Sequence, residues 1–299
     1  MREKLRNKIT GVIPAMVTPM DEQGEVDEDG LRQLTQILID AEVNGLFPLG
    51  TIGEGPKLDR TERMKVIEIV MDEVKSDMPV IPGTGGMTTK TTIQFTEDAK
   101  KLGATAGVIH PPWYFHPSDE ALIRHYRRIT EQTDFPIILY NIPSFVGYSI
   151  SPEVVAESSK VENIVGIKDS SAQMLSYQRL MDITPEDFNV IQGYGSLFLP
   201  SLTIGGTTTL CGEANILAND IVTVYKAFLK GNLDAAKKAH YRLVKLSSVI
   251  GCGTFPVGVK EAMNIIGLPG GHTREPAVPL KKEERSNLMA VLKELGLIK

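Results

Sequence analysis

The sequence predicts an α/β chain built as a (β/α)₈ TIM barrel with a C-terminal helical appendage. Three observations point there. Short apolar runs alternate with longer amphipathic segments, eight such runs occur before residue 218, and no Gly-x-Gly-x-x-Gly follows the first of them.

The runs occupy 11–17, 45–49, 80–83, 106–109, 137–140, 165–168, 190–192 and 207–210. Strands buried on both faces read as unbroken apolar runs, and parallel neighbours need a crossover helix between them. The intervening segments 27–42, 59–75 and 88–102 place apolar residues at helical spacing, with Asp27, Asp59 and Thr88 as N-caps. Eight such units in about 220 residues suit a closed barrel. An open doubly wound sheet is the alternative on pattern alone, but its usual dinucleotide loop is missing. The remaining helical patterns are 221–229, 234–249, 257–266 and 282–295. The first completes the eighth unit. The chain therefore divides into a barrel over 1–230 that holds the catalytic site and a helical segment over 231–299.

Composition narrows the function classes. Hydrophobic residues make up 42% and charged residues 23% of the 299, as in ordinary globular chains. A net charge of −5 argues against nucleic acid as a partner. Cys211 and Cys252 are too few for a disulfide framework and fit a reducing cytoplasm. The opening MREKLRNKIT lacks the apolar core of a signal peptide, and no run of 18 apolar residues occurs, so no membrane span is expected.

In a parallel barrel the C-terminal strand ends face the active site. The sixth run ends in IVGIKDSS, with Lys168 closing it. A lone lysine there can simply reach out to solvent along its stem. Held in a barrel mouth, it is partly desolvated, and desolvation favours the neutral amine that a Schiff-base nucleophile needs. Asp169 follows on the other face and reads as structural. The fifth run ends in YNIPSFVG, and Tyr140 either caps a barrel layer or relays protons beside the lysine. Asn141 and Pro143 set the loop beyond it. The second run ends in LGTIGEG, where Gly50 and Gly53 permit a tight turn over the mouth. Thr51 there offers a hydroxyl, and the N–H groups of Thr51 and Ile52 can cradle a small carboxylate. The third run ends in PGTGGMTTKTT; without Gly-Lys-Ser/Thr this is a turn capped by Thr88 rather than a phosphate loop. Of the five histidines only His110 stands at a strand end, so a catalytic metal is not expected.

The motifs GTIGE at 50–54, YNIP at 140–143 and GIKD at 166–169 resemble the dihydrodipicolinate synthase / N-acetylneuraminate lyase family of class I pyruvate-dependent aldolases. So do VIPAMVTPM at 12–20 with DEQGEVD after it, HPPWYFHP at 110–117 and the closing GGHTREPAVPL. The resemblance spans nearly the whole chain, and the 28-residue spacing from Tyr140 to Lys168 matches the family's. It implies a homotetramer, a dimer of dimers, that uses no metal or organic cofactor. Its partners are small molecules, a 2-keto acid and an aldehyde. It implies Lys168 as the Schiff-base lysine, Tyr140 as proton relay and Thr51 as the hydroxyl bridging that relay. Tyr114 matches the aromatic lent to a neighbouring subunit, and Gly193 and Leu210 match pocket positions.

Two departures bear on the substrate. The family's synthases carry a second Thr/Ser-type residue where Ile52 stands, and an arginine where Phe145 stands, to grip the second substrate's carboxylate. Sialic-acid lyases carry acidic residues after Gly193; here the run is Tyr194, Gly195 and Ser196. The expected activity is therefore reversible cleavage of a 2-keto-3-deoxy (sugar) acid to pyruvate and an aldehyde. The alternatives are a 4-hydroxy-tetrahydrodipicolinate synthase condensing pyruvate with aspartate semialdehyde, a dehydratase or hydratase on the same Schiff base, and a non-catalytic keto-acid sensor.

Overall fold

Helix starts follow the cap residues. Asp27 accepts from the Gly30 amide, and Asp59 forms a capping box with Glu62. Thr88, Ser118 and Ser151 each accept an amide three residues on. Each such cap satisfies a donor that would otherwise be orphaned, worth about 1 kcal/mol. The resulting helices Glu28–Asp40, Arg60–Glu73 and Thr89–Lys101 lie within the predicted segments. The computed structural model describes residues 2–74 and 77–299, so Lys75, the end of the second predicted segment, lies outside the described residues, as does Met1 of the opening segment.

Among the described residues six regular strands form one parallel sheet. They are β1 (Gly11–Pro14), β2 (Gly107–Ile109), β3 (Ile137–Asn141), β4 (Ile164–Asp169), β5 (Asn189–Gln192) and β6 (Thr208–Cys211), in the order β1-β6-β5-β4-β3-β2. Every strand residue is buried, as the unbroken apolar runs predict.

The runs at 45–49 and 80–83 differ from expectation: they make single parallel bridges rather than regular strands. Ala15 bridges Phe47, Leu46 bridges Val80, and Gly83 bridges Val108. The Phe47 amide donates to Pro14 O, the Ile81 amide to Leu46 O and the Val108 amide to Pro82 O, each at 2.9 Å. The physical reason lies in the residues. Pro48, Pro79 and Pro82 have no N–H to extend a ladder, and Leu49 turns to φ 61°. Arg63 spans this seam instead. Buried, it donates to Gly55 O at 2.7 Å and to Gly83 O at 2.6 Å, with its guanidinium 4.2 Å from the Phe95 ring centroid.

The C-terminal helices are Ala218–Leu229, Leu233–Ser247, Val257–Ile265 and Lys282–Glu294, close to the four predicted. An N-terminal helix, Arg2–Lys8, has no amphipathic signal; Arg2 anchors it through a 2.6 Å bond to Val161 O. Among the described residues no helix is long and apolar enough to cross a membrane.

A buried ion pair joins the C-terminal helices to the turn after 45–49. Lys260 Nζ lies 2.7 Å from Glu54 Oε1, with the two side chains 2% and 1% exposed. Lys260 also donates to His272 O at 2.6 Å, while Glu54 Oε2 accepts from Lys57 Nζ at 2.9 Å and from the Arg274 amide at 3.1 Å. Burial pushes the Lys260 ammonium below its usual range, and Glu54 opposes that shift. Lys260→Met leaves a carboxylate buried without its cation, so it should destabilise the fold by about 3–5 kcal/mol in denaturant titration. Adding Glu54→Gln should recover part of that loss.

Candidate active site

β3 and β4 are neighbours in register, with Tyr140 directly opposite Lys168. Paired residues point to the same face, so the two side chains meet. Lys168 Nζ donates to Tyr140 Oη at 3.1 Å, and both residues are buried. The amine lies 4.1 Å from the Tyr140 ring centroid and 4.8 Å from that of Phe47. It makes no ion pair among the described residues. Thr51 Oγ1 comes to 3.5 Å from Tyr140 Oη, extending the line of hydroxyls.

The turn that presents Thr51 is shaped by close backbone approach. Leu49 and Glu54, at φ 61° and 53°, bracket it. A Cβ on Gly50 would lie 2.8 Å from the Phe47 ring, and one on Gly53 would lie 2.8 Å from Met16 O. Thr18 Oγ1 donates to Gly53 O at 2.7 Å and holds the turn down. Gly53 thus shapes the site from behind and does not line the cavity.

Asp169 faces away from the cavity, as its alternation predicts. It accepts from Asn141 Nδ2 at 2.7 Å and Ser171 Oγ at 2.8 Å; burial raises its pKa, and these donors oppose the rise. Asn141 Oδ1 in turn accepts from the Ile150 amide at 3.0 Å. That bond closes the loop containing the short helix Pro143–Val146, which carries Phe145.

A cavity of about 240 Å³ opens over Lys168. Tyr140, Thr51, Ile52, Phe145 and Gly193 line it. A Cβ on Gly193 would come 2.0 Å from Ser170 Oγ, so only glycine leaves this wall unfilled. Leu210 does not line the cavity: it is wholly buried in β6, paired with Ile13. Tyr114 stands on the surface, 74% exposed, its ring 5.0 Å from that of Phe115. His110 sits in a narrow cleft behind Tyr140. Its Nδ1–H donates to Pro111 O at 3.0 Å, and burial lowers its pKa to about 4, so the ring is neutral.

Sequence reasoning missed Glu213, Ser247, Ile250, Phe255 and Val259, which also line the cavity. Glu213 lies two residues past β6, so the strand-end rule extends to it. The others belong to the C-terminal segment, where no strand-end signal exists. The site therefore draws on both predicted parts of the chain.

A buried lysine amine under a tyrosine hydroxyl, at the end of adjacent parallel strands, is the equipment of a class I aldolase. The sequence model of the dihydrodipicolinate synthetase family matches residues 8–295, and the chain belongs to that family. It is an enzyme of the lyase type that makes or breaks carbon–carbon bonds. Similar relatives include the 4-hydroxy-tetrahydrodipicolinate synthase of Methanothrix thermoacetophila, 37% identical over 287 residues, covering 96% of this chain and 97% of the relative. That of Methanopyrus kandleri is 36% identical over 293 residues, covering 97% and 98%. Among solved structures, dihydrodipicolinate synthase from Thermotoga maritima superposes with a TM-score of 0.93 at 32% identity, covering 97% of this chain and all 100% of that one. A prophage protein of the same family from E. coli K12, solved in complex with pyruvate, gives a TM-score of 0.92 at 30% identity, covering 97% and 99%.

Incubation with pyruvate followed by borohydride reduction should place a stable adduct on Lys168, located by peptide mass. Tyr140→Phe should slow turnover by roughly 10²–10⁴-fold, as expected for loss of a general acid–base group. An adduct on another lysine would remove Lys168 from the chemistry.

Proposed function

We propose that this chain is a Schiff-base lyase that reversibly cleaves a 2-keto-3-deoxy acid with a hydroxylated, uncharged tail. The six strands and two bridged segments act together as a (β/α)₈ barrel, with Lys168 at its mouth, and the helices beyond 230 form a separate appendage that overhangs it. The Lys168 amine adds to the keto carbon and expels water, giving an iminium. The bond between C3 and C4 then breaks, its electrons passing into the iminium to form an enamine. Tyr140, bonded onward to Thr51, takes the C4 hydroxyl proton as the aldehyde leaves. The enamine is protonated at C3, and water hydrolyses the imine to release pyruvate and the free lysine.

The observation that supports this substrate class is Phe145. Its ring is 50% exposed, lines the cavity and stands edge-on to Phe255 at 5.3 Å. Among the described residues lining the cavity, Lys168 is the sole cationic side chain. A second carboxylate brought there meets neither charge nor fork of donors. Leaving it uncompensated costs about 1–3 kcal/mol, roughly ten- to a hundredfold in affinity.

A second reading, the 4-hydroxy-tetrahydrodipicolinate synthase, is favoured by the names of the relatives. The two differ in which aldehyde half the site accepts. Comparing kcat/KM for aspartate semialdehyde condensation with that for cleavage of a 2-keto-3-deoxy sugar acid decides between them. The sugar acid should be preferred, and Phe145→Arg should move the preference toward the semialdehyde. Wild-type preference for the semialdehyde would establish the synthase.

Tyr114 supports an assembly of subunits, most simply a homotetramer built as a dimer of dimers. The exposed Tyr114–Phe115 pair follows directly on Trp113, whose ring packs on His110, and a neighbour's site can receive it. Cys211 and Cys252 are free thiols, in keeping with a reducing cytoplasm. Sedimentation should find at least a dimer, and Tyr114→Ala should lower turnover or loosen the assembly. A fully active monomer would take Tyr114 out of the site.

A further inference from the structure

Glu213 is a carboxylate with one oxygen committed and one free. Its side chain is 4% exposed and lines the same cavity as Lys168. Oε1 accepts two bonds, from Ser247 Oγ at 2.6 Å and from the Ser196 amide at 3.3 Å. No hydrogen bond among the described residues reaches Oε2. Oε2 is not sealed in with the rest of the side chain: it opens to the cavity, where a donor can reach it.

The surroundings make room for this group. A Cβ on Gly195 would lie 3.1 Å from the Glu213 carboxyl carbon and 3.2 Å from Cys211 Sγ. A Cβ on Gly212 would lie 2.4 Å from Ile52 Cδ1. Two glycines thus leave space where side chains would otherwise press on the carboxylate and on Ile52. Ser247, from the helix Leu233–Ser247, fixes the carboxylate from outside, so its orientation is set before any substrate enters.

We propose that Glu213 forms the subsite that accepts a hydroxyl of the substrate's aldehyde half and turns away a carboxylate at the same place. The inference rests on the lyase reading and assigns its tail specificity to a residue. A hydroxyl donates to Oε2 in a charge-assisted bond, which is stronger than a neutral one. A carboxylate meets like charge in a partly desolvated cavity with no second cation. Phe145, Phe255 and Ile250 enclose the carbon skeleton between these groups. Glu213 therefore discriminates among aldehydes, while Lys168 and Tyr140 serve the shared pyruvate half.

The condensation direction tests this directly. The pyruvate enamine attacks the aldehyde carbon, a carbon–carbon bond forms, and the carbonyl oxygen takes a proton to become the new hydroxyl. kcat/KM is measured with pyruvate and three aldehydes: glyceraldehyde, propanal of the same carbon count, and succinic semialdehyde. Wild type and Glu213→Gln are compared, and borohydride trapping of pyruvate on Lys168 shows whether the variant's site is formed. The substitution should lower the glyceraldehyde-to-propanal ratio by roughly ten- to a hundredfold, the loss of one bond to a charged acceptor. It should also raise the share of succinic semialdehyde. An unchanged ratio, or equal losses with all three aldehydes, overturns the subsite. Should the variant not form its imine, wild type still decides: parity between glyceraldehyde and propanal overturns the subsite alone. Wild type that traps no pyruvate, or prefers succinic semialdehyde, overturns the lyase reading and the subsite with it.

Discussion

Glu54 and Lys260 cannot be buried separately. Each ion removed from water costs several kcal/mol, and only their contact and their remaining hydrogen bonds offset that cost. Here the contact is 2.7 Å, and the bonds around it tie the turn after 45–49 to the closing segment. Glu54 belongs to the turn that presents Thr51 and Ile52. Lys260 lies on the helix Val257–Ile265, which carries Val259 to the cavity. Lys57, His272 and Arg274 complete the knot. One electrostatic requirement therefore fixes the distance between the hydroxyl side of the site and its apolar cover. The closing segment GGHTREPAVPL is held by the same two side chains, through His272 O at 2.6 Å from Lys260 and the Arg274 amide at 3.1 Å from Glu54, while the Arg274 side chain reaches Glu62 at 2.5 Å and Lys57 O at 3.0 Å.

The division of labour in the cavity follows from this arrangement. Residues at the ends of β3 and β4 supply the amine and the phenol. The C-terminal segment supplies Ser247, Ile250 and Phe255, which are far from those strands in sequence. Strand geometry is shared by proteins about 30% identical to this one over nearly their whole length. Phe145 and Phe255 meet in the wall that this segment helps to build beside the strand ends.

Much of this was legible in the residues, and the gaps have physical causes. Continuous apolar runs identify buried parallel strands, and cap residues locate helix starts within a residue or so. Hydrophobicity alone does not distinguish a ladder from a bridge. Pro48, Pro79 and Pro82 do, because each removes a donor. Lys168 and Tyr140 were readable because strand pairing follows from strand ends. Leu210 shows the converse: its family position suggested the pocket, but alternation along β6 points its side chain into the core. Glu213 stood within reach of the same strand-end argument, two residues beyond β6. Ser247 and Phe255 were not readable, since helix packing beside the strand ends depends on contacts such as Glu54 with Lys260 that no local pattern announces.

Arg63 binds the seam between the bridged segments without any carboxylate. Among the described residues it has no ion pair, and its two carbonyl acceptors are backbone. Burial brings its pKa down to about 10, still well above neutrality. A clasp made from a guanidinium and peptide dipoles has no acidic partner to neutralise. Acid, which dissolves ion pairs by protonating their carboxylates, finds nothing there to protonate. The stretch where proline has thinned the regular ladder is thus fastened by the type of contact least responsive to falling pH.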